Sequence, residues 1–271
     1  MRLERTGMVS IDLTGKTALV TASSAGIGFA IALRLAEAGA EVIVNGRNEE
    51  SVARAVAEIN AQVEDAARGI VADAADDAGA AALVAQAGRV DVLVNNLGIF
   101  EAAEALEIDD AAWRRFFETN VLSGVRLTRE LLPQMIQRGW GRVVNIASDS
   151  AIVIPAEMIH YGTSKTAVLG ASRGFAKAAA GTGVTVNAVI AGPTHTPGVE
   201  EFVAQVVGRD LPWDQAQREF MRTARPQSLL GRLIEPSEIA NLVVYLASPL
   251  ASATTGAAVR ADGGYVDSIV P

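Results

Sequence analysis

The sequence predicts a single α/β domain built on a doubly wound sheet of seven parallel strands. Its 271 residues suit one domain of this kind, and no long linker divides them. Short β-branched runs alternate with helical stretches along the chain. Most of these runs are continuously apolar, which is typical of parallel strands covered by helices on both faces.

The predicted elements follow one another as repeated strand-helix-strand units. The strands are expected at 17–21, 41–45, 69–72, 90–95, 141–147, 184–190 and 257–261. The helices are expected at about 26–38, 49–61, 76–87, 109–138 (one helix or two), 160–180 and 236–248. With right-handed crossovers, such a sheet binds ligands outside the carboxyl ends of its strands, where the strand order reverses.

Residues 192–235 interrupt this alternation between the sixth and seventh strands. The segment holds four prolines and is too short to be a domain. We therefore predict one domain over residues 1–271, in which residues 192–235 form a lid over the substrate. The insertion is expected to have an apolar, helical core that includes Phe202, Val206, Val207, Trp213, Phe220 and Met221.

Composition and charge exclude several classes of protein. The formal net charge of −8 opposes binding to nucleic acid or anionic membranes. The absence of cysteine excludes disulfides, thiolate metal sites and cysteine nucleophiles. The two histidines, His160 and His195, do not have the spacing of metal ligands, so no metal site is predicted. With no signal peptide or membrane span visible, a cytoplasmic protein is expected.

A glycine-rich stretch, TASSAGIG (21–28), follows the first predicted strand. Gly26 and Gly28 would let the backbone approach a phosphate, and free N–H groups at the start of a helix favour an anion. The spacing is not G-x-G-x-x-G, however. On this stretch alone, a tight turn without a ligand remains the alternative.

A second pattern is YGTSK (161–165), in which Tyr161 and Lys165 lie four apart on one helical face. Reduction of a carbonyl needs a proton source and donors for the charge that develops on oxygen. Tyrosine normally ionises near pH 10, and a nearby ammonium group and a cationic nicotinamide would lower its pKa. An ordinary amphipathic helix can also contain this pair.

Taken with NNLG (95–98) and Ser148, these stretches resemble the classical short-chain dehydrogenase/reductase family from about residue 13 to residue 264. The family loop is T-G-x-x-x-G-[IL]-G, and Ala22 replaces its first glycine. The resemblance implies a Rossmann-type fold and hydride transfer between a nicotinamide and a carbonyl or secondary alcohol. We expect Ala22 to keep a negative φ, because a left-handed conformation would cost roughly 1–2 kcal/mol.

The resemblance also assigns the catalytic residues. Tyr161 is the expected general acid/base, and Ser148, thirteen residues earlier, is expected to position the substrate oxygen. Lys165 is expected to lower the pKa of Tyr161 and to bind the nicotinamide ribose. Asn120 matches the asparagine that holds a water molecule in the proton relay.

The cofactor residues follow from the same resemblance. Asp73 matches the aspartate that contacts the adenine, and it is also a candidate N-cap of the next helix. The segment AGPTHT (191–196) matches a motif near the nicotinamide carboxamide, with Ala191 in place of proline. The predicted set is Thr21, Ser23, Ser24, Gly26, Ile27, Gly28, Arg47, Asp73, Asn95, Asn96, Gly98, Tyr161, Lys165, Gly192, Thr194 and Thr196.

The end of the second strand favours NADP(H) over NAD(H). Many NAD-using relatives carry an acidic residue near the position of Gly46, which is neutral here. The next residue, Arg47, could pair with a 2′-phosphate, assisted by Ser24 and Asn45. A solvated surface arginine is the alternative.

The substrate is expected to be a small, apolar ketone or alcohol. The residues expected to face it are apolar apart from Glu157, although those in the insertion could simply form its own core. They are Leu97, Ile99, Phe100, Ile152, Val153, Ile154, Pro155, Met158, Phe202, Trp213, Phe220 and Met221.

Two other functions remain open. A 3-oxoacyl-acyl-carrier-protein reductase needs a basic docking surface, yet the stretch after the active-site helix, AKAAAGTG, offers Lys177 alone. A non-catalytic cofactor-binding sensor or scaffold usually has a broken Ser/Tyr/Lys set, which is complete here. The family habit also implies a homo-oligomer, either a dimer or a tetramer.

Overall fold

The computed structural model describes residues 9–208 and 210–269 and contains a seven-stranded, all-parallel sheet. The strand order is β3-β2-β1-β4-β5-β6-β7, which confirms the predicted Rossmann-type architecture. The strands are β1 (Thr17–Val20), β2 (Glu41–Gly46), β3 (Ala67–Val71), β4 (Val92–Asn95), β5 (Gly141–Ser148), β6 (Val184–Ala191) and β7 (Ala258–Ala261).

Nine α-helices are present in the described part of the chain. Residues 109–138 form two of them, joined by a π-helical turn, Glu118–Leu122, that contains Asn120. The helices are α1 (Gly26–Glu37), α2 (Glu49–Gln62), α3 (Asp77–Ala87), α4 (Asp110–Phe117), α5 (Ser123–Arg138), α6 (Ile159–Ala178), α7 (Pro197–Val207), α8 (Trp213–Ala224) and α9 (Pro236–Ala247).

Two apolar layers bury the faces of the sheet. Ile31 and Leu35 of α1 pack with Ile239 of α9 against one face. Leu127 and Leu131 of α5 belong to the cluster on the other face. Because both faces are covered, the inner strands are largely buried, as their sequences predicted, whereas the edge strands β3 and β7 are partly exposed.

The insertion forms α7 and α8 and has a small core of its own. The buried members of this core are Val203, Ala216, Phe220, Met221 and Leu233. Three of the other apolar residues singled out in the sequence, Phe202, Val207 and Trp213, pack against it. Val206 is half exposed and does not belong to it.

The strand order reverses at β1, which pairs with β2 on one side and β4 on the other. The carboxyl ends of β4, β5 and β6 border a cavity of about 400 Å³, and α7 and α8 lie on its far side. In the described residues, no helix combines the length and the apolar character needed to cross a membrane. Nor do these residues contain a cluster of three or more potential metal ligands.

Candidate active site

The glycine-rich loop is held in place by its own hydroxyl groups. The Thr21 hydroxyl accepts the N–H groups of Asn96 at 2.9 Å and Leu97 at 3.0 Å. The Ser23 hydroxyl donates to the carbonyl of Val20 at 2.7 Å and accepts the N–H of Asn45 at 3.0 Å. Both side chains are buried, so they join β1 to β4 and β2.

Ala22 adopts a left-handed backbone conformation with φ of +50°, so the prediction of a negative φ was wrong. The Asn96 side-chain amide donates to the carbonyls of Thr21 at 3.0 Å and Ala22 at 3.1 Å. These bonds hold the loop in a conformation that costs an alanine roughly 1–2 kcal/mol. The turn of the family loop is therefore preserved without its first glycine.

The start of α1 offers unpaired donors to the cavity. Position 25, which would supply a side-chain cap, is alanine, and the first turn contains no acidic residue. The N–H groups of Gly26, Ile27 and Gly28 therefore have no acceptor within the helix. Ala25, Gly26 and Ile27 line the cavity. This donor set fits the phosphates of a dinucleotide.

The residues at the end of β2 differ in burial, and Asn45 lies in the interior. The Asn45 side chain is buried, and its amide donates to the carbonyls of Ile70 at 3.2 Å and Ala72 at 3.1 Å. It therefore connects β2 to β3, and the prediction that it contacts a phosphate was wrong. Ser24 lies beside Gly46. A Cβ added to Gly46 would lie 3.3 Å from the Oγ of Ser24.

Arg47 and Asp73 lie together at this edge. The Arg47 side chain is 76% exposed, and its Nη1 lies 3.8 Å from Oδ2 of Asp73. Asp73 accepts the N–H of Ala75 at 3.0 Å. The N-cap of α3 is Asp76, which accepts the N–H of Gly79 at 2.6 Å, so the alternative of Asp73 as the cap was wrong.

The two asparagines at the end of β4, Asn95 in the strand and Asn96 after it, have different environments. The Asn95 amide is buried and donates to Oδ1 of Asn145 at 2.8 Å and to the Thr128 hydroxyl at 3.1 Å. It stabilises the sheet and does not line the cavity. Asn96 and Gly98 do line it.

The segment after β6 lies on the opposite side of the cavity. All three of the cofactor residues predicted in this segment, Gly192, Thr194 and Thr196, line the cavity. A Cβ at Gly192 would lie 2.7 Å from the Cα of Asp262, so only glycine fits there. The Thr194 hydroxyl donates to the carbonyl of Gly192 at 2.8 Å. Thr196 caps α7 by accepting the N–H of Val199 at 3.3 Å.

The structure brings the four predicted catalytic residues together. Ser148, Tyr161 and Lys165 line the cavity, and Lys165 Nζ lies 5.9 Å from the centre of the Tyr161 ring. Lys165 Nζ also donates to the carbonyl of Ile146 at 2.9 Å. Asn120 lies behind them, where it donates to the Ser164 hydroxyl at 2.9 Å. The π-helical turn places this asparagine beside α6.

Burial dominates the electrostatics of this group. It raises the pKa of Tyr161 to about 12, a rise that the Ser148 hydroxyl opposes and the charge of Asp149 increases. Burial also lowers the pKa of Lys165 to about 8. In the chain alone, the Tyr161 pKa therefore moves in the direction opposite to the predicted one, because desolvation outweighs the hydrogen bond with Ser148.

Two charged residues of the cavity, Asp149 and Arg225, were missed by the sequence analysis. Asp149 is buried, and its Oδ1 accepts the Ser148 hydroxyl at 2.8 Å. Burial raises the pKa of Asp149. Its position directly after Ser148 was a usable signal, since an acidic residue at the end of a buried strand is unusual. No local pattern marked Arg225.

The apolar lining is smaller than predicted. Ile99, Phe100, Met158, Phe202 and Phe220 line the cavity, together with Val199. The other predicted residues lie outside it: Leu97, Ile152, Val153, Ile154, Pro155, Glu157, Trp213 and Met221.

Comparisons with known proteins identify the family of the chain. Residues 21–266 match the family model described as enoyl-(acyl carrier protein) reductase. The chain is 49% identical to a Bacillus subtilis (strain 168) protein named uncharacterized oxidoreductase YvaG, covering 96% of this chain and 100% of the relative. The chain belongs to the classical short-chain dehydrogenase/reductase family.

Other members of the family extend the comparison. D-beta-hydroxybutyrate dehydrogenase of Cupriavidus necator is 36% identical, over 94% of this chain and 99% of that protein. The solved structure of L-sorbose reductase from Gluconobacter frateurii, complexed with NADPH and L-sorbose, matches with a TM-score of 0.90 and 28% identity. It covers 96% of this chain and 100% of the reductase. As a short-chain dehydrogenase/reductase, the protein is an NAD(P)-dependent oxidoreductase.

Proposed function

We propose that the protein transfers hydride between NADP(H) and the carbonyl or secondary alcohol of a small substrate with a largely apolar body, with Tyr161 as the general acid/base. The observation that carries this proposal is the meeting of Ser148, Tyr161 and Lys165 in one cavity, which the uncapped start of α1 also borders. These residues supply the donors and the proton that carbonyl reduction needs.

Bound NADPH supplies the hydride, and the residues of the chain handle the oxygen and the proton. The Tyr161 hydroxyl donates to the substrate oxygen and then gives up its proton as negative charge develops there. Burial raises the pKa of Tyr161 to about 12 in the chain alone, so Tyr161 carries its proton near neutral pH. A bound cationic nicotinamide and the Lys165 ammonium would lower this pKa toward the working range. The Lys165 ammonium stabilises the phenolate that remains.

Ser148 is the second donor to the substrate oxygen. In the structure its hydroxyl proton is directed at Asp149 Oδ1, and a hydroxyl group has only one proton to donate. Ser148 must therefore turn its proton from Asp149 to the substrate.

Asn120 completes the proposal as the residue that holds a relay water. A Cβ at Gly98 would lie 3.1 Å from Lys165 Nζ and 3.4 Å from Asn120 Oδ1, so the two side chains approach the same point. Asn120 Oδ1 accepts the N–H of Ile99 at 2.7 Å, which fixes its orientation. A water held by the Asn120 region of the chain beside Lys165 would return a proton to Tyr161 through Lys165.

Arg47 supports the choice of NADP(H). The residue before it is Gly46, so no carboxylate at that position repels a 2′-phosphate. The ion pair of Arg47 with Asp73 is long and exposed, and such pairs contribute little free energy. The guanidinium is thus available to pair with a phosphate, with Ser24 beside it.

Of the remaining predicted cofactor residues, some would contact the cofactor and others would hold those residues in place. Gly26, Ile27 and Gly28 would hold the pyrophosphate, and Asp73 the adenine. Asn96 and Gly98 would border the ribose with Tyr161 and Lys165, and Gly192, Thr194 and Thr196 the carboxamide. Thr21, Ser23 and Asn95 support this arrangement from within the fold. The homo-oligomer, a dimer or a tetramer, and the cytoplasmic location stay predictions.

The test is Tyr161→Phe, measured by NADPH consumption with a panel of carbonyl compounds and by NADPH binding. Loss of the proton donor should lower turnover by about 10²-fold or more and leave NADPH affinity unchanged. Tyr245→Phe, at an exposed tyrosine on α9, is the control and should match the wild type. Substantial turnover by Tyr161→Phe would remove Tyr161 from the acid role.

A protein that binds NADPH and reduces no carbonyl in the panel would instead favour the non-catalytic sensor or scaffold. Selective turnover of acyl-carrier-protein substrates over free ketones would favour the carrier-protein reductase. The single Lys177 at the end of α6 offers little basic surface for an acidic carrier.

A further inference from the structure

The proposed hydride transfer leaves one cation of the cavity without a role. Arg225 follows α8 and lines the cavity beside Phe202 and Phe220. Lys165, the other cation in the lining, is already bound to the carbonyl of Ile146. A cation in a mostly apolar cavity is costly unless an acceptor or an anion accompanies it.

The Arg225 guanidinium is held firmly in place. It lies 5.2 Å from the centre of the Phe220 ring and 5.5 Å from that of Tyr265, within the range of cation–π contacts. Its Nη1 donates to the carbonyl of Ala224 at 2.7 Å. Among residues 9–208 and 210–269, no carboxylate oxygen lies within 4.0 Å of this guanidinium. Most of its donors are thus free to bind a ligand.

Asp149 is the nearest candidate for an internal partner, and it is bonded elsewhere. Its Oδ1 accepts the Ser148 hydroxyl at 2.8 Å and the N–H of Ser150 at 2.7 Å. The charge of Arg225 lowers the pKa of Asp149, but burial raises it by more, so the net shift is upward. Arg225 has no hydrogen-bonded carboxylate in the described residues, and it lines the same cavity as Ser148.

We propose that the substrate is an oxo acid, or the corresponding hydroxy acid, whose carboxylate pairs with Arg225 while its carbonyl oxygen meets Tyr161 and Ser148. This inference rests on the oxidoreductase function proposed above. The planar guanidinium matches a carboxylate in two parallel hydrogen bonds. Phe100, Phe202 and the other apolar walls would enclose the carbon chain.

The carboxylate of the substrate contributes to binding and takes no part in the chemical step. Hydride from NADPH adds to the carbonyl carbon, and the proton from Tyr161 adds to its oxygen. The products are a hydroxy acid and NADP⁺, and the charge at Arg225 is the same before and after the reaction. Arg225 is accordingly a specificity-determining residue.

The first experiment compares kcat/KM for short-chain 3-oxo and 4-oxo acids with that for their methyl esters. The wild type should prefer the acids by about tenfold or more. Arg225→Met should lower kcat/KM for the acids by about 30-fold or more, mainly through KM, because a paired charge is lost. Its activity on the esters should change little. Arg225→Lys keeps the positive charge but lacks the paired N–H groups of the guanidinium. Its kcat/KM for the acids should lie between those of the wild type and Arg225→Met.

Arg222→Met is the matched control. Arg222 lies on α8 one turn before Arg225, but it is exposed and paired with Glu219 at 2.6 Å. Its substitution should leave both acids and esters unaffected. Equal turnover of acids and esters by the wild type, or equal loss of both in Arg225→Met, would overturn the proposal.

A binding measurement separates this inference from the proposed function. The protein–NADP⁺ complex is titrated calorimetrically with short-chain hydroxy acids and with their amides. If the wild type binds the acids more tightly than the amides and Arg225→Met abolishes this difference, the carboxylate site is supported, even if no carbonyl is turned over. Equal binding of acids and amides would overturn it, whatever the activity, and failure of turnover alone would count only against the proposed reaction.

Discussion

The two sides of the cavity differ in how their polar groups are satisfied. On the cofactor side, the side chains of Thr21, Ser23 and Asn96 bind backbone groups of the loop and the neighbouring strands. On the substrate side, Asp149 Oδ2 is buried without a hydrogen-bond partner, and Arg225 has no carboxylate beside it in the described residues. On the first side, side chains hold the loop in place and leave backbone N–H groups at the start of α1 for a ligand. On the second side, charged side chains themselves are left for a ligand.

The largest expected effect is on the cofactor side, at Gly28. A Cβ there would lie 2.4 Å from the carbonyl oxygen of Ala22 and 2.5 Å from Asn96 Nδ2. Gly28→Ala should push the loop apart at a cost of about 1–3 kcal/mol and weaken NADPH binding on the order of 100-fold. The measurement is a fluorescence titration with NADPH.

Gly170→Ala is the control for this variant, because an added Cβ on that part of α6 meets no atom within 4 Å. It should leave NADPH affinity unchanged and stabilise the helix by about 0.5–1 kcal/mol. If Gly28→Ala binds NADPH as tightly as the control does, the loop is not the rigid element described above.

A smaller effect is expected on the substrate side, at Asp149. Burial raises the pKa of this carboxyl above its ordinary value of 3.8, so stability falls as the pH rises above 3.8, where the unfolded chain loses its proton more readily than the folded one. Asp149→Asn keeps an acceptor for Ser148 and removes this penalty. The variant should therefore melt at a higher temperature than the wild type near pH 8, and the two should converge as the pH falls toward about 4. A difference that is the same at every pH would contradict the assigned burial cost.

The smallest effect concerns the one strained residue of the cofactor side. Ala22→Gly releases roughly 1–2 kcal/mol of left-handed strain, and the greater freedom of glycine in the unfolded chain offsets part of the gain. We expect a net stabilisation of about 0.5–1 kcal/mol in denaturant unfolding, with NADPH affinity unchanged. Destabilisation would mean that Ala22 contributes a contact that its φ does not reveal.

The fold and the catalytic group could be predicted because both depend on chain order. Apolar runs determine where the strands lie in the sequence. A parallel sheet then brings the carboxyl ends of β4, β5 and β6 to one edge, independently of their side chains. The spacing within YGTSK places Tyr161 and Lys165 on one helical face. The loop after β1 could be located for the same reason.

Side-chain direction could not be predicted in the same way. Asn45 and Asn95 stand at strand ends, but backbone carbonyls or amide groups of adjacent elements take up their hydrogen bonds inside the fold. The φ of Ala22 depends on the carbonyl bonds from Asn96, which is distant in sequence. Arg225 reaches the cavity only because α8 folds across it, and no local pattern encodes that position.

The most direct test of the account is a titration of the purified protein with NADPH and with NADH, for the wild type and for Arg47→Glu. A cofactor loop held by its own side chains, with Arg47 free to pair with a 2′-phosphate, predicts tight NADPH binding, weaker NADH binding, and a loss in Arg47→Glu that is far larger for NADPH. Tighter binding of NADH would contradict the role of Arg47, and binding of neither dinucleotide would mean that TASSAGIG is only a turn.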